Sequence, residues 1–190
     1  MSSKRQPPIC QLRISLMDIE PEIWRSVQVS SDTTLETLHR IIQRVMGWDD
    51  YHLHQFKIGE KRYGVPPREG PMFGPPIKDE SGARLRQVIS NEGDSFVYEY
   101  DFGDSWKHRV EVEEIFQPEE DKEYTICVDG HRACPPEDCG GSFGYARILQ
   151  YFEDPDSVEL GEPWNMVVQE FDPDEFDLER ANMMLEFLRQ

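Results

Sequence analysis

Basic residues are scarce in this 190-residue chain: 20 Lys and Arg stand against 38 Asp and Glu, a formal net charge of −18. A field of that sign repels a phosphate backbone, so nucleic-acid binding is not expected unless a local basic patch overrides it. Long apolar runs are also missing. No segment is long enough for a membrane span, and the opening MSSKRQPPICQLRISLMDIE lacks the uninterrupted apolar stretch of a signal peptide. The expectation is a cytoplasmic protein with no membrane partner, its four cysteines present as thiols or ligands rather than a disulfide frame. Several catalytic signatures are absent as well: the phosphate-cradling loop, the G-x-S-x-G elbow and the H-E-x-x-H helix. There is no internal repeat and no low-complexity tract.

What is present is a globular composition, 37% hydrophobic with 10 Phe, 7 Tyr and 4 Trp. That suffices for one buried core, and residues 1–190 read as a single domain. Leu12, Ile14 and Leu16 alternate along a first strand, and Trp24, Val27 and Val29 follow a turn at Glu20-Pro21. TTLETLHRIIQRVMGW is a helix: Thr33 and Glu36 have capping-box spacing, Leu35, Leu38, Ile42 and Val45 recur at helical period, and Gly47 stops it. His39 lies beside that stripe and reads as a satisfied boundary residue. YHLHQFKIGEKRYG is a hairpin with His52, His54, Phe56 and Ile58 on one face. A Pro/Gly-rich loop covers 64–82. Two strands, a helix, a strand pair, a loop and a strand are the element order of a β-grasp (ubiquitin-like) core over 8–116. The fold class expected is therefore α+β, with a Cys/Pro/Gly-rich loop and C-terminal helices over 117–190. The last helix is expected over 174–188, with Leu178, Ala181, Leu185 and Leu188 as its stripe. That end is acidic: residues 153–190 hold 12 acids and 2 bases, a candidate face for a basic partner.

YEYDFGDSWKHRV is a hairpin whose register can be argued. A two-residue loop would put charged side chains on the aromatic face. With Gly103-Asp104-Ser105 as the loop, Phe102 faces Trp106, Tyr100 faces His108 and Tyr98 faces Val110. Asp101 then pairs with Lys107 and Glu99 with Arg109 on the other face. Asp101 is thereby expected to be a solvent-side ion-pair partner, Asp104 a free acid at the tip, and His108 a residue of the aromatic face.

In CVDGHRACPPEDCGGSFGY, Cys127, His131, Cys134 and Cys139 offer four zinc-type ligands. Their C-x3-H-x2-C-x4-C spacing fits no common finger, and buried thiols are the favoured reading, so zinc is possible but not favoured as a cofactor. Glu137 and Asp138 either form part of a site or cap the helix starting near Phe143; capping is the expectation.

Taken together, IWRSVQVSSDTTLETLHRIIQRVMGWDDYHLHQF, YEYDFGDSWKH, CVDGHRACPPEDCGGSFGY and FDPDEFDLERAN resemble the plasmid pRiA4b ORF-3-like family over nearly the whole chain. The resemblance implies an α+β domain of about this length, found in bacteria and archaea and in some members labelled as transposon passenger or resolvase-like. It implies no particular reaction. The matching positions include Trp24, His52, His54, Tyr100 to Asp104, Trp106, His108, Cys134, Pro135, Glu137, Asp138 and Gly140.

The functional expectation is a non-catalytic binding module for a protein or small-molecule ligand. The alternative is a metal-dependent or hydrolase-like enzyme using a His/Asp/Glu cluster, and a third reading is a mobile-element-associated nucleic-acid protein. The candidate binding cleft is lined by Tyr100, Trp106, His108, His52 or His54, and Glu137 or Asp138, with Asp104 at its rim.

Overall fold

The computed structural model describes residues 6–66 and 76–188. The middle of the expected 64–82 loop, 67–75, lies outside the described residues; its flanks are strand β4 (Lys61–Gly64) and strand β5 (Ile77–Asp79). The other strands are β1 (Ile9–Leu16), β2 (Trp24–Ser30), β3 (His54–Ile58), β6 (Ser95–Tyr100), β7 (Trp106–Phe116) and β8 (Ile126–His131). The helices are α1 (Leu35–Met46), α2 (Leu85–Val88), α3 (Gly141–Glu153), α4 (Trp164–Val167) and α5 (Leu178–Glu186). The fold is α+β. The eight strands among the described residues form one sheet in the order β5-β4-β3-β6-β7-β1-β2-β8.

A β-grasp core is not confirmed. The helix does follow the first hairpin, but both neighbours of β1 run antiparallel to it. Among the described residues the parallel pair is β4–β5, at the sheet edge. No helix among them is long and apolar enough to cross a membrane.

Alternation decides which face is covered. Cys10, Leu12, Ile14 and Leu16 of β1 are buried, as are Phe96, Tyr98 and Tyr100 of β6 and Trp106, His108, Val110 and Val112 of β7. Leu35, Leu38, Ile41, Ile42 and Val45 of α1 join the same core. The opposite face carries a polar ladder, in which Gln28 donates to Gln11, Gln11 donates to Glu113, and Glu99 pairs with Lys57. Trp24 falls out of the expected stripe. It pairs with Ser15, and the Arg13 guanidinium stacks 3.8 Å over its ring.

Arg25 instead takes the core position opposite Ile14. Buried to 2% exposure, it donates to the carbonyls of Trp24, Val45, His131 and Arg132. One guanidinium thereby ties the end of α1 to the chain leaving β8, because its several donors can each find a backbone acceptor.

The cap of α1 sits one residue later than the sequence suggests. Thr34 accepts from the Thr37 N–H, because the Thr33 backbone is engaged with Ser30 and Leu85. Gly47 ends the helix at φ 89°, as its position predicts. Helix α5 is shorter than expected, with Asp177 as N-cap. Ala181 and Leu185 are buried while Leu178 is exposed. Asn182 exchanges two hydrogen bonds with the Cys127 backbone, 2.9 and 2.8 Å, and so satisfies part of the free edge of β8.

Candidate functional site

The site grows from the turn between β6 and β7. Tyr100 pairs with Trp106, Tyr98 with His108 and Glu99 with Lys107. The expected facing of side chains holds, but the register is slid by two residues and the loop has five residues, 101–105. Alternation cannot distinguish registers two apart, because both keep the same faces. The loop stays open because Asp101 is engaged elsewhere. Its N–H donates to the Leu53 carbonyl at 3.0 Å, its own carbonyl accepts from Ser105 at 2.6 Å, and its Oδ1 accepts from Gly103 N–H at 2.8 Å. Asp101 is therefore a buried residue at φ 52°, not a solvent-side partner of Lys107. Phe102, expected opposite Trp106, is left exposed in the loop.

The second segment is Cys134–Gly141. Trp48, just past α1, donates its indole N–H to the Pro135 carbonyl at 2.9 Å. Glu137 Oε1 accepts from Asp49 N–H and from the Tyr100 hydroxyl, each at 3.0 Å. Asp104 Oδ2 accepts from Gly140 N–H at 3.1 Å. The approach is so close that a Cβ on Gly141, at φ 67°, would stand 2.7 Å from the Asp104 carbonyl oxygen. The acid serving the start of α3 is thus Asp104; the expected capping by Glu137 and Asp138 does not occur.

His52 completes the junction. Its Nε2 lies 3.0 Å from Asp138 Oδ1, 3.8 Å from Asp101 Oδ2 and 3.9 Å from Glu137 Oε2. Both His52 Nε2 and Glu137 Oε2 are buried atoms with no hydrogen-bond partner among the described residues. The Tyr100 hydroxyl accepts from Tyr51 N–H at 3.0 Å and donates to Glu137 Oε1. Burial, with the Glu137 carboxylate beside it, pushes the Tyr100 phenol well above its ordinary value. Burial also raises the Glu137 carboxyl, against the opposing pull of Asp49, Tyr100 and His52. Three exposed apolar side chains, Tyr51, Leu53 and Phe102, belong to the segments that carry His52 and Asp101.

The remaining sequence-picked residues do not join this junction. Trp106 and His108 are core, at 2% and 0% exposure, packed on Trp48 with ring centroids 6.1 and 5.2 Å away. Burial holds the His108 imidazole down to about 3. The nearby Tyr98 and Trp106 backbone opposes that shift, but neither ring nitrogen completes a hydrogen bond among the described residues.

His54 faces a second, largely buried cluster. It stacks on His39 at 3.5 Å and meets the Glu80 carboxylate at 2.9 Å. Here Gln43 donates to the Tyr98 hydroxyl, and His39 contacts that hydroxyl through Nδ1 and Asp50 through Nε2. A carboxylate accepts only, so Nε2 carries the proton and Nδ1 accepts from Tyr98. Burial, then the neighbouring His54 and Arg40, hold His39 down to about 3. His39 is therefore a buried, fully hydrogen-bonded residue rather than a boundary one.

A groove of about 550 Å³ is bounded by the Cys134–Glu137 segment and lined among others by Trp48, Asp49, Phe171, Phe176 and Met184. It shares Glu137 with the junction but contains none of Trp106, His108 and His52, so the cleft has a different wall from the expected one.

Cys127, His131, Cys134 and Cys139 do not assemble. Among the described residues, the sets of three ligand atoms within 4.8 Å of one another are His39–Asp50–His54 and His52–Asp101–Asp138. Cys127 and His131 lie on one strand, and an extended chain holds residues four apart at about 13 Å. The thiols are free and buried. Burial raises Cys127 to about 11 and Cys139 to about 12.

The comparisons with known proteins agree with this architecture. Residues 8–180 match the model of the plasmid pRiA4b ORF-3-like protein family. The chain is 33% identical over 148 residues to the uncharacterized protein y4hQ of Sinorhizobium fredii, covering 77% of this chain and 74% of that one. The crystal structure of the protein of unknown function MM3350 from Methanosarcina mazei Go1 superposes with a TM-score of 0.78 at 35% identity, covering 94% of this chain and 98% of that chain. With the match spanning the sheet, both loops of the junction and α3, the chain belongs to the plasmid pRiA4b ORF-3-like family.

Proposed function

We propose that the protein is a non-catalytic binding module whose ligand docks where the 101–105 loop meets the Cys134–Gly141 segment. One observation carries the reading. Three carboxylates from two separate segments, those of Asp101, Glu137 and Asp138, converge within 3.9 Å of the Nε2 of His52, which a third segment carries, beside exposed Tyr51, Leu53 and Phe102. Apolar walls with a few convergent polar groups are the usual makeup of a ligand site. The rigidity also fits: Asp101, Asp104 and Glu137 each hold backbone N–H groups of a neighbouring loop or their own, so the site is set before a ligand arrives. The ligand is a small molecule or peptide side chain with an apolar body, laid on the rim, and a polar head that meets the cluster. Four free buried thiols support a reducing, cytoplasmic setting. The net charge of −18 weighs against nucleic acid as the ligand.

The test is a ligand-observed NMR screen of aromatic amines and aromatic carboxylates against the full chain, in parallel with Phe102→Ala, Asp138→Asn and the groove variant Met184→Ala. Fragments that bind the wild-type protein and Met184→Ala, lose binding in the first two variants and are recovered chemically unchanged are the expected result. Absence of any binder, or binders insensitive to both Phe102→Ala and Asp138→Asn, would overturn the reading.

A further inference from the structure

The carboxylates of the junction are held in an uneven way. Glu137 receives both of its hydrogen bonds, from Asp49 N–H and the Tyr100 hydroxyl, on Oε1. Its Oε2 is buried and has no hydrogen-bond partner among the described residues. Asp101 receives the Gly103 N–H on Oδ1, and its Oδ2 is the oxygen facing His52 at 3.8 Å. In each case the protein pins one oxygen and turns the other toward the same imidazole nitrogen. That nitrogen, His52 Nε2, is buried and makes no hydrogen bond among the described residues, although three carboxylate oxygens stand 3.0–3.9 Å away.

Left to themselves, such groups have poor reasons to be arranged so. Three carboxylates gathered around one imidazole repel one another, and each buried atom without a partner costs about 1–3 kcal/mol. Had the arrangement evolved as an ion pair, the imidazole N–H would point along a hydrogen bond to one of the oxygens. The spacing fits a different object. Ligand atoms on a tetrahedral ion with bonds of about 2.0–2.1 Å lie about 3.4 Å apart, and the His52 distances of 3.0 Å to Asp138 and 3.8 Å to Asp101 bracket that value. The donors on the pinned oxygens are what a metal centre places in its outer shell, where they orient the ligating carboxylates.

Resting on the reading that this junction is the ligand site, we propose that His52, Asp101 and Asp138, whose ligand atoms all lie within 4.8 Å of one another, bind a divalent first-row transition ion, with the Glu137 carboxylate beside them. An imidazole with two carboxylates suits zinc, manganese or iron better than the all-oxygen shells of calcium and magnesium. Asp138 is the ligand on the solvent side, its side chain 68% exposed, so the ion is reached from the face bearing Tyr51, Leu53 and Phe102. A docked ligand would meet the ion through an oxygen or nitrogen of its polar head. These three ligands share no residue with the cysteine-centred zinc set that the sequence suggested.

The experiment uses the full chain, stripped with a chelator and titrated with zinc by calorimetry. The expected result is one zinc per chain, with the melting temperature raised by the metal. Dissociation constants should rise about 10-fold or more in Asp138→Asn and His52→Ala. Because Asp138 is exposed, its variant folds whatever happens to the site. Asp50→Asn, in the His39–His54 cluster, and Cys134→Ser, in the cysteine loop, should bind zinc as the wild-type protein does. No saturable zinc binding, unchanged affinity in both junction variants, or loss confined to Asp50→Asn or Cys134→Ser would overturn the proposal. Running the fragment screen with and without chelator separates the two readings. Fragments that bind without any metal site leave the binding module standing and remove the metal; zinc binding with no fragment does the reverse.

Discussion

Replacing His108 by Leu should flatten the acid side of the stability curve by one histidine's share. The ring is fully buried near the start of β7, with aromatic neighbours Trp48 and Tyr98 and, among the described residues, no hydrogen-bond partner for either ring nitrogen. Burial therefore lowers its pKa from the ordinary 6.5 to about 3. The sign follows from that direction. As pH falls through 6.5 the unfolded chain takes up a proton that the folded chain refuses. Stability is fully present above about 6.5 and is lost progressively as pH drops toward 3. With those two values, the single group removes about 2 kcal/mol between pH 7 and pH 5. Urea unfolding followed by tryptophan fluorescence at the two pH values, for wild-type and His108→Leu protein, measures it. The packing change of the substitution is present at both pH values and cancels in the difference. The wild-type protein should lose about 2 kcal/mol more than the variant over this interval. His39, equally depressed to about 3, contributes its own loss to both proteins and so does not disturb the comparison. Equal losses within about 0.5 kcal/mol would show that His108 is protonated in the fold, and the account of a neutral core histidine would fall.

Arg25→Lys should destabilise by about 2–4 kcal/mol in the same assay, because a lysine cannot serve all four carbonyls that the guanidinium reaches and leaves buried acceptors unpaired; a change under about 0.5 kcal/mol would contradict the anchoring role. Gly141→Ala should cost about 1–3 kcal/mol, since the residue is at φ 67° and its new methyl meets the Asp104 carbonyl oxygen. The Asp104–Gly140 amide proton should exchange faster in that variant, and unaltered exchange would mean the two loops are not held by this contact. The four thiols should resist a disulfide reagent at pH 8 in the folded protein and all react in guanidinium, as expected for buried cysteines raised to about 11 at Cys10 and Cys127; rapid reaction of any thiol in the native state would disprove its burial.

The first strand, helix α1 with its Gly47 stop and the aromatic face of the second hairpin were all legible from period and composition. Each is a local pattern: side chains alternate every two residues in a strand and recur every 3.6 in a helix, and a buried face must be apolar. Family membership was legible for the same reason, since it rests on stretches of sequence. The site was legible in its parts. The two acid-bearing loops and His52 were picked out, but Asp101 was assigned to the wrong role, His39 was read as a boundary residue though it is buried, and Arg25 and Trp48 carried no signal strong enough to be noticed. An arginine in a strand of polar and apolar residues looks like a surface residue until its four carbonyl partners are known.

What the tertiary structure alone decided is register and convergence. A two-residue slip in a hairpin leaves every side chain on its own face, so alternation is blind to it; only the hold of the Leu53 carbonyl and of Gly103 on Asp101 opens the loop to five residues. Separation works the same way. Two histidines two residues apart, His52 and His54, end in different clusters because strand β3 begins only at His54, while His52 lies in the preceding loop. The cysteine and histidine of one short motif stay apart because a strand stretches the chain between them. Sequence fixes which groups are available and which face is apolar, because those are properties of neighbours along the chain. Which groups meet depends on contacts between distant segments, such as Glu137 on Asp49, 88 residues apart, and that is settled only when the whole sheet and its covering loops have closed.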